Sequence, residues 1–292
     1  MARVKQKSGS LVLPKIGAHL SIGKGLKNTA DMAVQWELDT FQIFLRNPRG
    51  SRARSWNKEE IEVFTSTITD NQIGPVVAHI PYIVNPASCR EDLYELAARI
   101  ITEDLERCDM LGAEFLVLHP GSYGDDGKEA AIERLSNLLN KVLDGYTGPA
   151  TILIEAMAGM GKEIGASVEE LRAILQGTRH SLRIGICLDS CHLTGAGYDM
   201  TSSEGVKATL DEFDKTVGLD YVKLLHANDS QREIGSRIDR HASIGEGSIG
   251  IKGFQAMMNN TFLRNLPFIL ETPPENLQQD LQTLRTIRDE GY

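Results

Sequence analysis

Short apolar runs alternate with longer stretches of helical periodicity along this chain, and six of the runs end in a residue that can bind a metal. They are Val76-Val77-Ala78-His79, Leu116-Val117-Leu118-His119, Ile152-Leu153-Ile154-Glu155, Ile186-Cys187-Leu188-Asp189, Lys223-Leu224-Leu225-His226 and Phe268-Ile269-Leu270-Glu271. The gaps between the terminal residues are 40, 36, 34, 37 and 45 positions, about one strand, one helix and two loops. Two earlier strands are predicted over Lys15 to Leu20 and Thr40 to Leu45, with an amphipathic segment from Leu26 to Trp36 between them. Helical stripes fill the other intervals. Leu93, Leu96, Ile100, Leu105, Cys108 and Leu111 form one that stops at Gly112, read as a C-cap. Ile132, Leu135, Leu139 and Val142 form another, ending at Gly145. Ser167 and Glu170 read as a capping box ahead of Leu171, Ile174 and Leu175, and Leu277, Leu281, Leu284 and Ile287 make the last helix.

The count is eight strands and eight helices in strict alternation. Continuously apolar strands are expected where helices cover a parallel sheet. An open doubly wound sheet would not bring all six strand ends to one point. The pattern therefore predicts a single-domain α/β fold, a (β/α)8 TIM barrel over residues 15–292, behind a short basic extension over residues 1–14.

A chain of 292 residues with 41% hydrophobic content suits that fold, which usually takes about 250 residues. No apolar run approaches the roughly 18 residues of a membrane span, and Met1 to Ser10 has no signal-peptide core. A soluble, cytoplasmic, monomeric protein with no membrane partner is expected. Four cysteines without a CxxC pair fit a reducing interior. The formal charge of −9, taken alone, argues against a nucleic-acid partner.

Candidate chemistry alters that picture. Beyond the six strand-end residues, Asp189 and His192 share one side of a turn by their i, i+3 spacing. Asp239 and His241 point the same way in extended chain by their i, i+2 spacing. The total is five histidines and four carboxylates. Imidazole mixed with carboxylate suits zinc or a similar first-row ion, with manganese(II) or iron(II) as substitutes, better than magnesium or calcium. With one carboxylate bridging, such a set can hold three ions and keep positions open for water and substrate. Clustered metals act on phosphate esters.

Taken singly, a histidine or carboxylate at a strand end is ordinarily solvated or hydrogen-bonded, but five of seven histidines at equivalent places resist that account. His19 faces the same mouth, either supporting the ligands or serving structure, and His180 precedes a strand without assigned function. Cys191 is read as a packed thiol, and Gly245 to Gly250 as a turn into a helix more than as a phosphate loop.

Leu188-Asp189-Ser190-Cys191-His192, His226-Ala227-Asn228-Asp229-Ser230, Gly235 to His241, Ile244-Gly245-Glu246-Gly247 and Leu270-Glu271-Thr272-Pro273 resemble the signature segments of the endonuclease IV family. The resemblance runs from Ile16 to near the C-terminus, with Ser190 where threonine is expected. It implies a zinc-dependent apurinic/apyrimidinic (AP) endonuclease of base-excision repair. One ion would be held by His79, His119 and Glu155, a second by Glu155, Asp189, His226 and Glu271, and a third by His192, Asp239 and His241. Hydrolysis would fall 5′ to an abasic deoxyribose in duplex DNA, leaving a 3′-hydroxyl and a 5′-deoxyribose phosphate. Removal of blocking groups from 3′ ends is also implied, with Glu155 and Glu271 as the catalytic carboxylates.

The resemblance further implies that Arg49 and Tyr82 penetrate the base stack, which costs least where a base is missing. Arg49 belongs to an arginine-rich loop with Arg46, Arg52, Arg54 and Trp56. Three divalent ions would add +6, taking the charge from −9 to −3 and concentrating positive potential at the mouth. A barrel sugar isomerase would need neither the Asp189–His192 and Asp239–His241 pairs nor the arginine rim. A non-catalytic damage-binding relative would not need an intact ligand set.

Overall fold

The computed structural model describes residues 13–290. Most of the predicted extension over residues 1–14 therefore lies outside the described residues. Eight strands close a parallel barrel: β1 (Lys15–Leu20), β2 (Thr40–Phe44), β3 (Val76–His79), β4 (Phe115–Leu118), β5 (Thr151–Glu155), β6 (Ile184–Asp189), β7 (Val222–His226) and β10 (Pro267–Leu270). β10 pairs with both β7 and β1, and β1 with β2, which closes the ring. β8 (Asp229–Ser230) and β9 (His241–Ala242) form a separate antiparallel ribbon.

The ring is built by the two-residue period of the strand. Val77, Val117, Leu153, Cys187, Leu224 and Ile269 form a fully buried apolar cluster of their own. Each lies two positions before one of His79, His119, Glu155, Asp189, His226 and Glu271. Alternate side chains share a face, so the six polar residues stand directly above this apolar layer. A second, larger cluster contains the intervening strand residues, among them Ala78, Leu116, Ile154, Leu188 and Leu225. It also takes in the apolar faces of α1 (Leu26–Gln35), α2 (Lys58–Asp70), α3 (Glu91–Leu111), α4 (Lys128–Asp144) and α5 (Val168–Gly177). Gly17 admits close contact between β1 and β2, since a Cβ there would lie 2.0 Å from the Thr40 carbonyl oxygen.

Helix ends follow local chemistry. Gly112 adopts φ 68° after α3 and closes it as a left-handed C-cap. Ser167 caps α5 by accepting from the Glu170 N–H at 3.3 Å, but the reciprocal half of the expected box is absent. The Glu170 carboxylate instead accepts from the N–H groups of Gly165 and Ala166 and pairs with Lys128. A complete capping box occurs at Asn57 and Glu60, ahead of α2.

The strict one-helix-per-strand expectation is modified after β6. Asp189 ends the strand and caps α6 (Ser190–Ala196) by accepting from the His192 N–H at 2.9 Å. Gly197, at φ 113°, stops this short helix, and Ser202 caps α7 (Ser203–Thr216). With α8 (Gly250–Asn259) and α9 (Leu277–Glu290), the described residues contain nine α-helices. No helix among them is long and apolar enough to cross a membrane.

Candidate metal centre

All nine candidate ligands converge at the C-terminal mouth of the barrel. Their side-chain donor atoms fall into neighbouring groups, each within 4.8 Å: His79, His119 and Glu155; Glu155, Asp189, His226 and Glu271; and His192, Asp239 and His241. Glu155 joins the first two. Its Oε2 lies 3.2 Å from His79 Nε2 and 3.3 Å from His119 Nε2, while its Oε1 lies 3.2 Å from both His226 Nδ1 and His192 Nδ1. His192 enters from the first turn of α6. Asp239 and His241 come from the ribbon and the loop before it, with His192 Nε2 and His241 Nε2 each 3.3 Å from an Asp239 oxygen.

Asn228 braces two of the candidate ligands, a role that the sequence reading misses. Its amide nitrogen donates to Asp189 Oδ2 at 2.7 Å and its amide oxygen accepts from the Glu271 N–H at 2.9 Å. The available signal is parity: Asn228 lies two residues beyond His226. Ser190, which stands where threonine is expected, exchanges hydrogen bonds with the Asn228 backbone and so holds this brace without a methyl group. Buried Asp229 accepts N–H groups from Gly245, Gly247 and Ile249, which fixes the glycine-rich turn and uses donors a phosphate would otherwise receive.

The electrostatics of the nest favour cations. Burial alone would raise the Glu155 carboxyl, but the His226 and His119 imidazoles outweigh it and hold it well below the usual carboxylate range. Burial likewise opposes ionisation of Glu271, and His226 again brings it down. Burial would lower His241, but the adjacent Asp239 carboxylate overcomes this and raises it to about 9. His192 Nε2 and His241 Nε2 are buried, and the Asp239 oxygens 3.3 Å away are not aligned to hydrogen-bond them. Deprotonated carboxylates, proton-attracting imidazoles and unsatisfied ring nitrogens make a set that divalent ions fit, releasing protons as they bind. Cys191 also approaches Asp189 and His241, but burial and Asp189 push its thiol up to about 12, in keeping with a packed thiol. His180 lies away from the mouth, paired with Asp144 at 2.8 Å.

Tyr82 stands 59% exposed over this nest, its ring centroid 5.9 Å from His79 and 5.7 Å from His119. A cleft of about 240 Å³ opens there between Tyr82, His119, Asp239 and His241. A larger cavity of about 740 Å³ lies alongside, bounded by His19, Phe44 and the loop after β2. That loop is not uniformly a basic rim. Arg49 and Arg52 are exposed, but Arg46 is buried and donates three hydrogen bonds to the buried Asp104 of α3. It also reaches the Ser51 carbonyl oxygen at 2.6 Å, which pins the loop. Arg54 pairs with Glu60, and Trp56 carries the Arg107 guanidinium 4.0 Å above its ring. Because Arg46→Ala would leave buried Asp104 with only the Arg107 guanidinium, 4.0 Å away and not hydrogen-bonded to it, we expect it to destabilise the fold by about 3 kcal/mol. Urea denaturation measures this. A loss comparable to an exposed-arginine variant such as Arg52→Ala would show that the pair holds nothing.

Fold and site together define a (β/α)8 barrel with a candidate polynuclear metal centre at its catalytic mouth, and residues 30–287 match the family described as xylose isomerase-like TIM barrel. The chain is 40% identical over 275 residues to the probable endonuclease 4 of Clostridium beijerinckii, covering 94% of this chain and 98% of that one. It superposes on the crystal structure of endonuclease IV from Thermus thermophilus with a TM-score of 0.84 at 35% identity, covering 95% of this chain and all of that one. A D-tagatose 3-epimerase-like protein superposes at TM-score 0.70 with 19% identity over 95% of this chain and 96% of that one, a likeness of fold alone. The chain belongs to the endonuclease IV family and is a nuclease of the hydrolase class.

Proposed function

We propose that the protein hydrolyses the phosphodiester 5′ to an abasic site in duplex DNA, leaving a 3′-hydroxyl and a 5′-deoxyribose phosphate. The same centre would clear blocked 3′ ends. The observation that carries this reading is the set of three adjoining ligand groups, two of them joined through Glu155, beneath an exposed aromatic ring. Zinc is the proposed ion, three per chain, and it would supply an activated water and neutralise charge on the attacking and leaving oxygens.

The chain's own residues do the positioning. Glu155 presents one oxygen to His79 and His119 and the other to His192 and His226, the disposition a bridging carboxylate needs. Glu271 turns Oε2 toward His226 Nδ1, 3.3 Å away, at the floor of the cleft. Tyr82 and Arg49 form the rim from which the duplex would be gripped. The sugar-isomerase alternative draws support from fold alone, whereas the third group, His192, Asp239 and His241, gives a reason to prefer a trinuclear phosphodiesterase.

Elemental analysis of the purified protein, combined with cleavage of a duplex containing one abasic site, tests the proposal. Nine ligands grouped three, four and three, with Glu155 counted twice, should hold three ions per chain. Activity should survive chelation of magnesium in the buffer and decline under prolonged treatment with a strong chelator. A fully active preparation carrying one metal or fewer per chain would sink the trinuclear assignment.

A further inference from the structure

Six strands supply candidate ligands to the barrel mouth, and the remaining two supply His19 from β1 and Gln42 from β2, which are register partners. Gln42 is fully buried, although a lone amide in a barrel interior must satisfy every polar atom to be tolerated. It does so on two ligand candidates at once. Its amide nitrogen donates to Glu271 Oε1 at 2.6 Å, and its amide oxygen lies 2.8 Å from His226 Nε2. The second amide hydrogen faces His19 Nδ1 at 3.0 Å.

Chemistry decides this orientation. An ionised Glu271 carboxylate accepts and cannot donate, so the amide nitrogen must face it and the oxygen is left for His226. An amide oxygen also donates nothing, so His226 Nε2 must carry a proton, which leaves Nδ1 as the nitrogen free to offer its lone pair to an ion. Nδ1 is the nitrogen that lies 3.2 Å from Glu155 Oε1 and 3.3 Å from Glu271 Oε2. Holding Oε1 of Glu271 likewise leaves Oε2 turned into the group.

We infer that Gln42 is a positioning residue that sets the His226 tautomer and the Glu271 rotamer, and thereby the affinity of the centre for the ion shared by Glu155, Asp189, His226 and Glu271. The inference rests on the metal-centre reading given above. His79 turns Nδ1 to its neighbour's carbonyl, the Ile80 oxygen, at 2.7 Å, and His192 turns Nδ1 to the Ala156 oxygen at 3.1 Å. Those rings have backbone partners, whereas His226 takes its outer partner from a side chain. Gln42 therefore acts on one group of the three.

Gln42→Met keeps length and volume and removes all three polar contacts, and Gln42→Leu does the same with a side chain that the barrel interior packs readily. Zinc would be withdrawn from wild type and both variants with a chromophoric chelator, and cleavage followed on abasic duplex. Loss of an outer partner of a metal ligand weakens affinity by about 10–100-fold. One ion should leave the variants at correspondingly lower chelator strength while the other two leave as in wild type. The turnover number should fall with KM unchanged, and the zinc-stripped proteins should melt alike. Three ions held with wild-type affinity in both variants would overturn the assignment of Gln42 and leave the centre standing. So would uniform weakening of all three ions together with a lower melting point, which marks a structural residue. A wild-type protein that binds no metal would overturn the centre itself and the inference with it.

Discussion

Glu155→Gln is expected to leave a folded barrel that has lost most of its cleavage activity. Glu155 is fully buried, and four imidazole nitrogens lie 3.2–3.3 Å from its two oxygens, two on each. Glutamine matches the shape but replaces one oxygen by an NH2 group, which cannot accept. One pair of histidines then faces a donor, and the link between two ligand groups is cut. The apolar layer beneath, Leu153 included, is untouched, so folding should persist. Loss of one preorganised electrostatic group typically costs about 10²–10³-fold in turnover, and a shared ligand should cost at least that. Single-turnover cleavage of an abasic duplex, with metal content measured on the same sample, checks the claim. Turnover like that of wild type in a variant carrying its full metal complement would be incompatible with Glu155 as the bridge.

The same layer explains why so much of the site is legible in the sequence. His79, Glu155, Asp189 and His226 close their strands, and His119 and Glu271 fall one residue beyond. Each keeps the parity of the interior residue two positions earlier, so strand periodicity and barrel closure together force convergence. Asp189 and His192 are legible for a different reason, because the N-cap and first turn of a helix hold residues i and i+3 together. Elements fixed by tertiary partners are not legible. Nothing local marks β8 and β9 as a ribbon, since each is two residues long and exists through the other. Among the loop arginines, Arg46 turns inward only because Asp104, 58 residues later, lies on the buried face of α3. Gln42 escapes attention because a single glutamine in an apolar run gains its meaning from β7 and β10, reached across the barrel.

Arg49→Ala and Tyr82→Ala should separate gripping DNA from cutting it. Neither residue belongs to a ligand group, and both are exposed at the mouth. Tyr82 rests on a ring platform, 5.2 Å from Phe44 and 5.7 Å from His119 between centroids, which holds it upright at low entropy cost. The Arg49 N–H donates to Asn47 Oδ1 at 2.9 Å, and the loop behind it is pinned by Arg46, so its side chain starts from a defined base. Inserted side chains offset an unstacking penalty of a few kcal/mol per step, and each 1.4 kcal/mol is about tenfold. We therefore expect kcat/KM on an intact abasic duplex to fall by roughly 10–100-fold in either variant, with metal content unchanged. A nicked or 3′-blocked end bends with less resistance and should suffer much less. Competition between the two substrates in one reaction reads the difference directly. Equal losses on both, or loss of metal, would place Arg49 and Tyr82 in the scaffold of the centre instead of on its DNA-reading rim.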